Sequence, residues 1–225
     1  MAFFEDFFTK SFEMKNVLLN ALLETLTMSL LSTLLASIIG FMFAIVLIIT
    51  DKNGLSPNPY MYKILDVLIN TFRSFPFIIL IIVLFPLTKF LVGKSTGTLA
   101  MIVPLTIGTA PFIARMVESA FKEVDSSIVE AAKSFGASKL QIIFRVLLPE
   151  AFPSIISSIT LALIIIVGFS AMAGTVGGGG LGAVAMNYGY YGFNGIYIFW
   201  TVVILIVLVQ CFQSIGDLLY KLIKH

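Results

Sequence analysis

The residues able to do chemistry in this sequence are few. Its 225 residues include one histidine, the terminal His225, and one cysteine, Cys211, which lies inside an apolar run. Neither a disulfide framework nor a thiolate metal site can be built from them. No histidine is placed for proton transfer, and no carboxylates pair on one face of an apolar segment, so catalysis lacks material and no metal site is expected. Gly177-x-Gly179-x-x-Gly182 formally matches a dinucleotide fingerprint, which carries meaning only between a strand and a helix. Here it follows a long apolar segment, and four successive glycines satisfy almost any glycine pattern. The run either lets backbones pass closely or re-enter the membrane, or it is a plain flexible loop. No Gly-x4-Gly-Lys-Ser/Thr phosphate loop is present, so no nucleotide or other cofactor is expected in this chain. Three charges, Glu24, Asp66 and Arg73, fall near the ends of apolar runs, where charge is expensive and often functional. Asp66 and Arg73 stand seven apart on one helix face and are expected to pair with charged neighbours or to snorkel.

The remaining signals lie in a polar stretch, 118–150. Ser127-x-x-Glu130 fits a capping box, and the helix it would open carries Ile128, Ala132 and Phe135 on one face. Gly136 can supply the left-handed residue that ends it. A second box, Ser138-x-x-Gln141, opens a helix with Leu140, Ile143, Phe144 and Leu147 on one stripe, expected to stop at Leu148-Pro149. The pattern predicts helix, glycine hinge, helix, with apolar faces that need a partner or the underside of a bundle.

The elements that position this loop follow from composition. The chain is 59% hydrophobic and 12% charged, with a mean hydropathy of +1.05. Soluble domains carry about 25% charged residues, so this chain cannot cover a water-facing surface and a bilayer is its natural solvent. A net charge of +2 gives no reason to expect a nucleic-acid partner. Apolar runs at about 17–49, 64–91, 98–117, 153–173 and 196–219 predict an all-α polytopic bundle of five spans. The second span is expected to kink or break near Pro76 and Pro86. With the N-terminus outside, nine basic residues (Lys52, Lys63, Arg115, Lys122, Lys133, Lys139, Arg145, Lys221, Lys224) fall in cytoplasmic segments. Four fall outside (Lys10, Lys15, Lys89, Lys94), with Arg73 left aside. That bias favours N-out/C-in and puts 118–150 in the cytoplasm. Residues 1–16 mix five phenylalanines with Glu5, Asp6, Lys10 and Glu13, acidic where a secretory leader would be basic. They read as an amphipathic interfacial helix or as a frayed tail, leaving 17–225 as the transmembrane domain.

Glu130-Ala131-Ala132-x3-Gly136, followed by Val146-Leu147-Leu148-Pro149, resembles the EAA loop of ATP-binding-cassette importer permeases. Three further blocks resemble the methionine-uptake permeases of that family. They are Asn70 to Leu80 around Arg73-Ser74-Phe75-Pro76-Phe77, Val103 to Arg115, and Gly168 to Val176 running on to Gly182. The resemblance runs from Leu22 to Leu219 and departs mainly in the longer, more aromatic N-terminus. It implies a cytoplasmic coupling helix that docks on an ATPase, with Glu130, Ala131, Ala132, Ser134, Phe135, Gly136, Ala137 and Ser138 as the coupling residues. Glu130 also reads as a helix-capping carboxylate, and the two roles are compatible. The resemblance further implies two ATPase subunits that bind ATP and Mg, an extracytoplasmic substrate-binding protein, and a multi-pass place in a bacterial inner membrane among lipid. Five spans leave little room for a solute path, so a homodimer is expected, with the second and fourth spans at the axis. Ser170, Met172, Arg73 and Pro76 are the pore or gate candidates. Met172 reads either as a gate meeting its copy at the axis or as ordinary packing. The alternatives are a permease for another amino acid or small polar solute, and a non-transport scaffold or sensor subunit. A channel is disfavoured, since no ring of charges or carbonyl filter is visible.

Overall fold

The structure is a computed structural model and describes residues 13–224; most of the expected interfacial segment, 1–12, lies outside the described residues. Helix α1 (Lys15–Thr50) is apolar on all sides, as a bilayer helix can be. It ends at Asp51, whose carboxylate accepts from the Asn53 backbone N–H at 3.0 Å and sets a turn. Asn58 then opens α2 (Pro59–Ser74): its Oδ1 accepts from Met61 N at 3.1 Å, and Pro59 occupies the first helical position, where no donor is needed. Phe75 is held extended by the proline that follows it. The chain breaks there before α3 (Phe77–Val83) and α4 (Phe85–Val92), as the prolines predict. Next come α5 (Thr98–Lys122), α6 (Ser126–Ser134) and α7 (Lys139–Ile142), a π-helical turn Ile143–Leu147, and α8 (Leu148–Thr175). The chain closes with α9 (Gly180–Val184), a second π stretch Ala185–Tyr190, and α10 (Gly195–Ile223).

Four helical runs are long and apolar enough to cross a membrane: α1, α5, Lys139–Thr175 and α10. The pair α2 and α3, bent at Phe75–Pro76, makes a fifth when taken as one span. Of the most apolar stretches, α5 is 72% buried and α10 only 6%. Helix α5 is therefore the packing centre, and α10 is left for lipid or another chain.

The chain divides into two compact units. The first comprises Met1–Leu34, Pro76–Ile107 and Leu163–Phe212; the second comprises Leu35–Phe75, Gly108–Ala162 and Gln213–His225. In the first, Met14 just before α1 and Leu18 and Ala21 of α1 pack with Leu181 and Val184 of α9 and with Trp200 of α10. Phe77 stacks on Phe169 with ring centroids 4.1 Å apart. In the second, Ala36 and Ala44 of α1 join Ala110, Ile113, Val117 and Phe121 of α5 in the main core. Small residues four apart, Ala36, Gly40 and Ala44, let the two backbones close up. A methyl group on Gly40 would lie 2.8 Å from the Ala110 carbonyl. Where lipid is as apolar as leucine, close packing of this kind holds helices together.

Candidate functional site

The loop between α5 and α8 is a built structure. Its first helix starts earlier than the Ser127 box predicts: Asp125 is the cap, its side chain accepting from Ser127 N at 2.9 Å. That hydrogen bond holds the exposed Asp125 carboxyl below the ordinary carboxylate range. Asp125 and Ser127 are both good caps, and the backbone turns helical at Ser126, which settles the competition. Glu130 therefore lies a full turn inside α6, too far along to cap its start, and is exposed.

The end of α6 is the predicted glycine stop. Gly136 has φ +78°, its N–H donates to the Lys133 carbonyl at 2.9 Å, and the Ala137 N–H donates to the Ala132 carbonyl at 3.1 Å. This is the Schellman arrangement, and it explains the alanines: Ala132 and Ala137 are the apolar pair that closes it, and both pack on the core of the second unit. The Ser134 hydroxyl donates to the Glu130 carbonyl at 3.0 Å. The second box forms as read: Gln141 N donates to Ser138 Oγ at 3.3 Å, and Ser138 N to Gln141 Oε1 at 2.8 Å.

Two expectations about the second helix need correction. Leu148-Pro149 does not end it; the helix continues through the π turn into α8, forming one run, Lys139–Thr175. A proline ring collides with the carbonyl four residues back, and the wider turn at Ile143–Leu147 makes room for Pro149 without breaking the helix. Nor is the apolar stripe continuous. Ile143 and Leu147 are buried, whereas Leu140 and Phe144 stay exposed, so the edge of the buried face runs along the stripe. The first helix divides in the same way: Val129 and Ala132 pack inward, while Ile128 and Phe135 point out, Phe135 being 91% exposed. Glu130, Ala131 and Phe135 thus form the outward surface of a loop rooted by Ala132, Ala137, Ile142 and Ile143.

Next to the loop lies a cluster of charge that the sequence reading missed. Glu118 of α5 is 3% exposed, and its carboxylate accepts from Arg115 at 2.7 Å, Lys122 at 2.8 Å and the Tyr62 hydroxyl at 2.9 Å. Arg115 also pairs with Asp66 of α2, and Lys122 with Asp51 at 3.0 Å. Partial burial alone would raise the Asp51 carboxyl; the Asn53 N–H and the Lys122 ammonium outweigh it and hold the group below its ordinary value. The spacing Arg115-x2-Glu118-x3-Lys122 on one helix face was the available signal, yet Arg115 and Lys122 entered the sequence reading only as basic residues to be counted, and Glu118 only as the start of the polar stretch. Asp66 is ion-paired as expected. Arg73 makes no ion pair among the described residues; it lies over the Phe112 ring, 5.2 Å from the centroid. The loop's two ends are joined as well, Ser154 Oγ donating to Glu123 Oε2 at 3.1 Å.

In the first unit, Ser170 is 1% exposed and turns its hydroxyl back to the Val167 carbonyl at 2.7 Å, whereas Met172 is 46% exposed. Pro76 is the exposed residue that leads into α3. The glycine run is an ordered turn: Gly179 and Gly180 have φ of +82° and +76°. The turn packs on α1, with Gly180 N donating to Glu24 Oε2 at 2.6 Å and Leu181 N to Thr25 Oγ1 at 2.9 Å. A side chain on either glycine would strike Glu24 or Thr25, so of the sequence readings the close backbone pass is the one seen.

Comparison with known proteins adds the family. Residues 36–225 match the family described as binding-protein-dependent transport system inner membrane component. A probable D-methionine transport system permease protein MetI from Vibrio cholerae is 50% identical over 187 residues, 83% of each chain. A methionine import system permease protein MetP from Bacillus subtilis is 45% identical over 178 residues, 79% of this chain and 80% of that one. Among solved structures, a chain of the MetNI methionine ABC transporter in an inward-facing conformation superposes with a TM-score of 0.92 at 41% identity, covering 94% of this chain and 98% of that one. An amino acid ABC transporter solved with histidines shares the fold at 17% identity, with a TM-score of 0.79 over 95% and 97% of the two chains. A helical membrane bundle with a Schellman-capped loop between two spans, matched over most of its length, belongs to the binding-protein-dependent transport system inner membrane component family.

Proposed function

We propose that this chain is the membrane permease of an ATP-driven methionine importer in a bacterial inner membrane. It works as a homodimer, N-out/C-in, with two ATPase subunits docked on the loop and a binding protein delivering substrate outside. The observation that carries the reading is the division of labour within α6 and the turn that ends it. Ala132 and Ala137 root the loop in the core, while Glu130, Ala131 and Phe135 stand free for a partner. An exposed phenylalanine beside an exposed carboxylate suits a groove with an apolar floor and a basic rim. Gly136 and the capped Ser138 keep this surface stiff, so that force applied to it reaches α5 and α8. ATP and Mg bind the partner; closure of the ATPases biases the permease between inward-open and outward-open states by their differential affinity for the two. Met172, next to the buried Ser170, is the gate candidate, and Arg73 with Pro76 borders the path.

The methionine names of the relatives and the 41% identity to the MetNI chain support the substrate. The test is uptake of labelled methionine into vesicles holding this chain with the ATPase and binding protein encoded beside it. ATP-dependent uptake competed by methionine is expected. Uptake of other solutes alone would keep the permease and remove methionine, and no uptake with no bound ATPase would leave a scaffold.

A further inference from the structure

The second unit also holds a groove of about 690 Å³ that coupling does not use. One side is a stripe of α5 running from Phe112 through Met116 and Ser119 to Glu123, ~16 Å long at the helical rise. The facing stripe on α8 carries Ser154, Ser157, Ser158 and Leu161. Hydroxyls in an otherwise apolar helix need protein or water to face. Ser154 donates to Glu123, and Ser158 donates back to the Ser154 carbonyl at 2.9 Å; their oxygens keep acceptor capacity toward the groove.

Two guanidinium groups border this space. Arg115 is engaged by Asp66 and Glu118. Arg73 makes no ion pair with a described residue; it lies over the Phe112 ring, which leaves its edge donors available. At this end the groove offers a fork of donors and apolar contact from Met116 and Leu161. Further along the groove toward the loop are the serine acceptors, and the far end carries the Glu123 carboxylate, to which Ser154 donates. That order matches a zwitterionic amino acid with an apolar side chain. The carboxylate takes the guanidinium, the ammonium takes the serine oxygens, and a thioether lies against Met116 and Leu161.

We propose that this groove is an amino-acid subsite on the solute's path, in which Arg73 holds the α-carboxylate and Ser157 and Ser158 receive the α-ammonium. Glu123 then draws the ammonium toward the loop end. The inference rests on the import reading above and adds a place where this chain itself touches substrate.

The test is thiol protection in the assembled transporter in nanodiscs. Leu161→Cys is introduced into a Cys211→Ala chain and reacted with a small cationic thiol reagent. Methionine at about ten times its Kd is expected to slow the reaction about tenfold, since only about one site in eleven is then open. Methioninol, which lacks the carboxylate, leaves the rate unchanged; Arg73→Gln abolishes the protection and Arg73→Lys keeps part of it. Copurification with the ATPase reports assembly of each variant. If Arg73→Gln does not assemble, Arg73→Lys and the methioninol comparison decide. Equal protection by methionine and methioninol, protection that survives Arg73→Gln, or a thiol that never reacts would each overturn the subsite. Protection by glycerol phosphate as strong as by methionine would overturn it in favour of a lipid headgroup. Methionine uptake by the unsubstituted chain is measured alongside. Uptake without protection removes the subsite alone; absent uptake removes the import reading and the subsite with it.

Discussion

Glu118 is the residue whose environment is most demanding. A carboxylate 3% exposed in a membrane helix survives because three donors from two helices converge on it. Glu118→Ala leaves Arg115 and Lys122 without their shared partner and should cost about 3 kcal/mol or more. The expected observation is a clear drop in the thermal midpoint of the detergent-solubilised chain, and an unchanged midpoint would contradict the cluster's structural role. Asp51, at the cluster's edge, gives a pH signature. Its folded value lies below the ordinary carboxylate value of about 3.9. Its contribution is therefore complete above that value and is lost as pH falls through the folded one. Hydrogen exchange in the 51–58 turn should accelerate only in strong acid, and Asp51→Asn should remove that dependence.

At the scale of elements, most features set within one turn were legible in the sequence, and most that join distant segments were not. The Ser138–Gln141 box and the Gly136 stop each depend on residues within one turn, and both form as the sequence predicts. The span breaks at Pro76 for the same local reason. The start of α6 was misread because two adjacent cap formers, Asp125 and Ser127, compete and only the backbone decides between them. The helix's continuation past Pro149 goes through a π turn, which has no sequence period of its own. The Glu118 cluster joins the end of α1, the start of α2 and α5, an assembly that no single window of sequence contains. The same holds for Glu24 on the glycine turn, 156 residues away. The α1–α5 seam gives a prediction at this scale. Gly40→Leu forces apart backbones that a single methyl would already crowd, and folded protein recovered from the membrane should fall sharply, while Leu34→Ala on the exposed face of α1 should leave recovery unchanged.

For the whole molecule, the loop matters because its roots and its exposed face belong to one stiff unit. If the loop couples to an ATPase as proposed, force on Phe135 or Glu130 reaches the core through Ala132 and Ala137. Phe135→Ala should therefore weaken ATPase binding about tenfold or more, as removal of a buried aromatic anchor does, without altering the fold of the isolated chain; copurification and thermal midpoint together check this. Met172→Ala should raise leak of methionine in the absence of ATP if the side chain closes the path, and unchanged leak would return it to packing. The decisive measurement is methionine taken up per ATP hydrolysed, in vesicles carrying the complete transporter with either the unsubstituted chain or Gly136→Pro. Proline can neither adopt φ +78° nor donate to the Lys133 carbonyl. Coupling through the loop predicts that uptake is lost in Gly136→Pro while the ATPase subunits still hydrolyse ATP. Uptake at the unsubstituted level in that variant, with the same methionine per ATP, would contradict it.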